Sequence, residues 1–199
     1  MDLHTIIPVK PFGEAKQRLT PALNSRQRAQ LAEDMFRHVV GVASAVFGAQ
    51  NLIVISRSQE VLAIAKSESA LAVPENNLSD LNSALLQAAT FAETRGASKV
   101  LVLASDLPLL EADDLAELAK HACVIAPDRH CRGTNALLWP VTLPFAFGEN
   151  SFARHLAIAA NASLHPQTIT RTGLAYDVDV LEDLIDTLPL SRNGRRRNP

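Results

Sequence analysis

The run Lys99–Ala104 (KVLVLA) constrains this chain more than any other segment. It is short and almost wholly apolar, as a strand must be when both of its faces are covered. The rest of the chain repeats the same plan. Strands are predicted at Leu3–Val9, Leu52–Ser56, Leu71–Val73, Ala122–Ala126, Asn135–Trp139 and near Thr168–Thr170. Helical spacing predicts a helix capped by Ser25 and running to about Phe47, with Leu31, Met35, Val39 and Val42 on one face. Further helices are expected at Val61–Ala65, Leu81 to Glu93, Asp113–Ala119, Ser151 to about Ala160, and Val180–Thr187. Strands separated by helices mean an α/β fold whose mainly parallel sheet carries helices on both faces. Such sheets bind ligands beyond the carboxyl ends of their strands.

At 199 residues, with 47% hydrophobic and 20% charged residues, the chain suits one globular domain. Residues 1–190 are expected to form it, followed by a basic, frayed tail over 191–199. The net charge is −2 even though Arg192, Arg195, Arg196 and Arg197 cluster at the end. The body is therefore acidic, which argues against a nucleic-acid binder with a basic face. Cys123 and Cys131 are too few for a disulfide scaffold or a four-thiolate zinc site. The opening MDLHTIIPVKPFG does not read as a signal peptide, and no apolar run reaches the roughly 18 residues a membrane helix needs. A cytoplasmic protein is expected. Base rates favour a homodimer if the chain assembles at all.

Three polar constellations follow predicted strands. After the first, Lys10, Lys16 and Arg18 put three cations in nine residues, with Gly13 allowing a bend. Such a loop suits a triphosphate, although it matches neither the dinucleotide fingerprint nor the P-loop. A solvated basic loop is the plain alternative. Asp106 ends the KVLVLA strand, where a carboxylate is well placed to hold Mg²⁺. Asp177 and Asp179 share one face if their segment is extended, and Asp179 can instead cap the following helix. Asp113 and Asp114 read as structural residues at a helix start. In the third constellation Thr134 and Ser151 can hold a small phosphorylated or carboxylated acid, with Ser151 at a helix N-terminus, Gly148 supplying backbone freedom and Arg154 adding charge. His155 is expected to be exposed or half-buried. Phe36, Phe47, Phe91 and Trp139 read as core.

Taken in order, five segments resemble the 2-phospho-L-lactate guanylyltransferases of coenzyme F420 biosynthesis, a family that includes phosphoenolpyruvate and 3-phospho-D-glycerate guanylyltransferases. They are residues 7–19, 105–110 (SDLPLL), 126–137, 147–155 and 177–179 (DVD). The resemblance implies the nucleotide-diphospho-sugar transferase fold, a GT-A or Rossmann-like three-layer arrangement with a mixed, mainly parallel sheet. It implies transfer of GMP from GTP to a three-carbon phospho-acid with release of diphosphate. It further implies that Asp106, Asp177 and Asp179 bind Mg²⁺, that Lys10 and Lys16 face the triphosphate, and that Thr134, Gly148 and Ser151 receive the acceptor. Asn82 matches the family pattern near the guanine, but residues 77–85 lack the usual glycine-rich turn. Asp80 or Glu75 can read the base there, or Ser79 or Asp80 can simply cap a helix. A related enzyme using CTP or a sugar phosphate, and a nucleotide-binding protein without catalysis, are the rival readings.

Overall fold

A computed structural model describes residues 2–76 and 80–194, with side chains to Thr187. The strands are β1 (Leu3–Pro8), β2 (Leu52–Ser56), β3 (Leu71–Pro74), β4 (Lys99–Leu103), β5 (Val124–Pro127), β6 (Thr134–Pro140) and β7 (Gln167–Thr168). They form one seven-stranded sheet in the order β3-β2-β1-β4-β6-β5-β7. β1, β2, β3 and β4 are mutually parallel, and β6 runs antiparallel to both β4 and β5. The chain lays β2 and β3 on one side of β1 and then crosses to place β4 on the other. The carboxyl ends of β1 and β4 thus meet at the point where the winding reverses, the usual position of a crevice. Because β6 is antiparallel, it brings its beginning to that same rim: the Ala104 amide bonds the Asn135 carbonyl at 2.8 Å.

The period of two in the central strands divides the core. Ile7, Leu52, Val54, Leu101 and Leu103 face α1 (Ser25–Phe47), α2 (Gln59–Ser67) and α4 (Ala112–Leu118). Ile6, Ile53, Ile55, Val100 and Val102 face α3 (Leu81–Thr94) and α5 (Ser151–Asn161). Phe36, Phe47 and Trp139 are buried, and Phe91 is partly so. Helix starts follow local chemistry. Asn24, one residue before Ser25, caps α1 in a capping box with Gln27. Asp80 caps α3 by accepting from the Asn82 and Ser83 amides. Asp114 completes the box at α4.

Two elements depart from the sequence reading. A short helix, α6 (Thr172–Ala175), precedes the Asp-Val-Asp segment. The last helix, α7 (Leu181–Gly194), takes in residues 191–194 expected in the tail. Residues 195–199 lie outside the described residues. Among the described residues, no helix is long and apolar enough to cross a membrane.

Candidate active site

The carboxyl rim holds a cleft of about 680 Å³. Lys10, Lys16, Arg18, Asp106, Thr134, Asp177 and Asp179 all line it, so most of the sequence candidates converge. The loop after β1 bends first in a 3-10 turn over Phe12–Glu14, where Gly13 needs no positive φ and a Cβ would meet nothing within 4 Å. A second turn is made at Lys16, with φ of 54° in the left-handed region. A side chain rarely adopts that conformation, and here its ammonium is fastened at the other end. Nζ lies 2.5 Å from Asp106 Oδ2 and 3.4 Å from Asp179 Oδ1, and the side chain is only 7% exposed. Burial alone would lower the Lys16 pKa, but the charges of Asp106 and Asp179 outweigh it and raise it. Arg18 reaches Asp179 at 3.7 Å from a largely exposed position.

Asp106, Asp177 and Asp179 each offer a carboxylate oxygen, all within 4.8 Å of one another. Burial, first, and then the charges of Asp106 and Asp179 push the Asp177 carboxyl up to about 6, against a hydrogen bond from Asn135 at 3.1 Å. Lys16 answers only part of this negative charge. Hard oxygen ligands crowded at the edge of a cation-lined cleft of this size fit Mg²⁺. Among the described residues, no α7 amide bonds the Asp179 carboxylate, which Lys16 and Arg18 engage instead. Asp183, in the first turn of α7, accepts from the Asp179 and Val180 amides at 2.7 and 2.8 Å. Arg129 holds Asp183 at 2.6 Å and Asp186 at 2.7 Å while lying over the Tyr176 ring. The acidic segment is thereby pinned to the loop between β5 and β6. That loop is tied internally by Asp128, whose carboxylate accepts from the His130, Arg132 and Gly133 amides.

The remaining candidates are placed differently. Among the described residues, Gly13, Asn82, Gly148, Ser151 and Arg154 do not line the cleft. The Asn82 amide exchanges two hydrogen bonds with the Phe147 backbone, at 3.1 and 2.7 Å. It clasps α3 to the turn before α5, using one N–H and one lone pair of the amide and leaving one of each. Gly148, with φ of +116°, does supply the expected backbone freedom. Ser151 opens α5, but its N–H donates to the Gly148 carbonyl and that of Phe152 to the Arg132 carbonyl. Two amides of the expected anion seat are thus engaged within the protein. Arg154 is exposed and its guanidinium bonds the Glu149 carbonyl at 3.4 Å. Of the possible base readers, Asp80 is occupied as a cap. Ser79 lies outside the described residues.

Three contributors went unassigned in the sequence. Arg57 lines the cleft directly after β2, much as Lys10 does two residues after β1, and the same positional logic would have found it. Asn135 bonds Asp177 and the Leu174 carbonyl. His155 is fully buried rather than exposed or half-buried, because one turn into α5 it packs against Trp139 and Phe147 and bonds Thr134.

Residues 3–196 match the family described as "Guanylyl transferase CofC like". A phosphoenolpyruvate guanylyltransferase of Roseiflexus castenholzii is 37% identical, with 93% of this chain and 87% of the relative covered. A 2-phospho-L-lactate guanylyltransferase of Methanobrevibacter smithii is 31% identical, with 98% and 88% covered. Among solved structures, one from Desulfovibrio desulfuricans classed with the nucleotide-diphospho-sugar transferases superposes with a TM-score of 0.75 at 17% identity, covering 98% of this chain and 90% of that one. A nucleotidyl transferase from Methanothermobacter gives 0.64 at 17%, covering 96% and 98%. These two likenesses bear out the nucleotide-diphospho-sugar transferase fold.

Proposed function

The chain belongs to the CofC-like guanylyl transferase family, and from that premise we propose that it transfers GMP from GTP to the phosphate of a three-carbon phospho-acid, releasing diphosphate, in coenzyme F420 biosynthesis. Phosphoenolpyruvate is the first acceptor to test, because that is the activity named for the 37% identical relative. 2-Phospho-L-lactate, named for the Methanobrevibacter smithii relative, comes second. 3-Phospho-D-glycerate rests on the family resemblance alone. The observation that carries the reading is the meeting of Asp106, Asp177 and Asp179 with Lys10, Lys16, Arg18 and Arg57 in one cleft at the winding reversal.

The acceptor phosphate has a second pKa of about 6 and is already a nucleophile at neutral pH. One of its oxygens attacks the α-phosphorus of GTP. The bond from that phosphorus to the bridging oxygen breaks, and the electron pair leaves with diphosphate. No protein base is needed, so the chain's task is alignment and charge. Lys10, Lys16, Arg18 and Arg57 offset the triphosphate's charge. Asp106, Asp177 and Asp179 would hold Mg²⁺, which supplies neutralisation of the phosphate oxygens. Thr134, beside the Gly148–Ser151 turn, receives the acceptor, with Arg154 adding positive charge nearby.

The test is diphosphate release with GTP, Mg²⁺ and each of the three acids in turn, with the product identified by mass. Release with one acid is expected, together with its loss in a folded Asp106→Ala variant. Normal turnover by that variant would refute the metal assignment. Activity with CTP or a sugar phosphate alone would move the chain to another reaction on the same fold. GTP binding without release under any condition would leave a binding protein.

A further inference from the structure

We propose that His155 is a positioning residue for the acceptor: it receives the Ala146 amide at one nitrogen, donates to Thr134 from the other, and so directs the Thr134 hydroxyl hydrogen into the cleft. The inference rests on the reading above in which Thr134 contacts the acceptor.

The argument is one of hydrogen-bond direction. His155 Nε2 lies 3.1 Å from the Ala146 backbone nitrogen, a group that can only donate. Nε2 is therefore an acceptor and carries no proton. In a neutral imidazole the proton must then sit on Nδ1. Nδ1 lies 3.0 Å from Thr134 Oγ1, so the ring donates and the hydroxyl oxygen accepts. A hydroxyl has a single hydrogen, and this one is not used on the ring. Among the described residues His155 is the only hydrogen-bond partner of that hydroxyl. Thr134 stands on the cleft lining beside Asn135, which bonds Asp177. The free hydrogen is thus offered to an anionic oxygen, the phosphate or carboxylate of the acceptor acid.

The surroundings hold the ring in this state. Trp139 and Phe147 meet it edge-on, with centroids 5.7 and 4.8 Å away. Full burial, with a minor contribution from Arg154, brings its pKa down to about 4, so it is neutral at working pH. A protonated ring would set Nε2–H against the Ala146 N–H. The same side chain ties the first residue of β6 to the segment leading into Gly148, two regions the sequence reading gave to the acceptor.

The experiment has two parts, both on the full chain. Two-bond proton–nitrogen spectra of ¹⁵N-histidine protein, with His155 identified by its loss in His155→Gln, are expected to show the Nδ1–H tautomer from pH 6 to 8. The Nε2–H tautomer would overturn the inference whatever the activity. Steady-state kinetics then follow Thr134→Val, His155→Gln, the double variant and His155→Asn, whose amide reaches the Nδ1 position. Thr134→Val and His155→Gln should each raise the acceptor KM about tenfold and leave the GTP KM within about twofold. The double variant should be no worse than Thr134→Val alone, and His155→Asn should recover most of the loss. An equal rise in both KM values, or additive losses in the double variant, would make His155 a packing residue and overturn the proposal. If His155→Gln does not fold, Thr134→Val and the wild-type spectrum decide: an unchanged acceptor KM overturns the proposal. Wild-type protein inactive with every acid would defeat the activity reading and the acceptor half of this inference, and the tautomer would still be read from the spectrum.

Discussion

Burial and the neighbouring charge of Asp106 raise the Asp177 carboxyl from 3.8 to about 6. The folded state therefore binds its proton more tightly than the unfolded chain does. The stability this confers is fully present below pH 3.8 and is lost as pH rises through 6. In metal-free protein, Asp177→Asn should stabilise the fold above pH 6 by roughly 1–2 kcal/mol and change little below pH 4. Urea melts in the presence of a chelator would check this. His155 has the opposite sign. Its pKa falls from 6.5 to about 4, so its contribution is present above 6.5 and is lost as pH falls through 4. Wild-type protein should lose stability on acidification through that window, and His155→Gln should lack that part of the slope. At this scale the sequence was readable where a residue sits two or three positions beyond a strand end, as Lys10 and Asp106 do. It was not readable for His155, whose role depends on Thr134 and Ala146 approaching from other segments.

The elements were read mainly from local pattern, and the failures are those with little pattern to show. β4 declares itself by continuous apolarity, and α1 by an apolar stripe. α6 has four residues, too few for periodicity, and owes its place to tertiary contacts. Arg171 at its start bonds buried Asp114 at 2.6 Å, and Gly173 packs against that carboxylate. A Cβ on Gly173 would lie 1.9 Å from Asp114 Oδ2 and 2.7 Å from the Leu109 carbonyl, a backbone atom that cannot step aside. Gly173→Ala is expected to cost about 2 kcal/mol or more in thermal or urea melts, and to impair turnover by displacing the segment that carries Asp177. A melt matching wild type would show that the α6 contact yields freely. The direction of β6 was equally illegible. An apolar run reads the same for either orientation, and only the register with β4 reveals that Thr134, at its start, arrives at the working rim.

Across the whole molecule the site closes contacts over long separations: Lys16 meets Asp106 ninety residues away and Asp179 at 163. A cation bound among the carboxylates is therefore linked to the folding of the entire sheet. At a hundredfold excess over its Kd, Mg²⁺ should add about 2.7 kcal/mol, or roughly 5–10 °C in Tm, at pH 7.5. The gain should shrink at pH 5, where Asp177 holds a proton. A Tm indifferent to Mg²⁺ at pH 7.5 would count against the metal site. The loop from Asp128 to Gly133 has a different bearing. It leaves β5 and rejoins β6 on the same rim, and its shape is set by one aspartate folding three of its own amides around itself. Such a loop is a cassette. Its fold is written within its own six residues, so the exposed side chains of His130, Cys131 and Arg132 can change while the sheet beneath keeps its register.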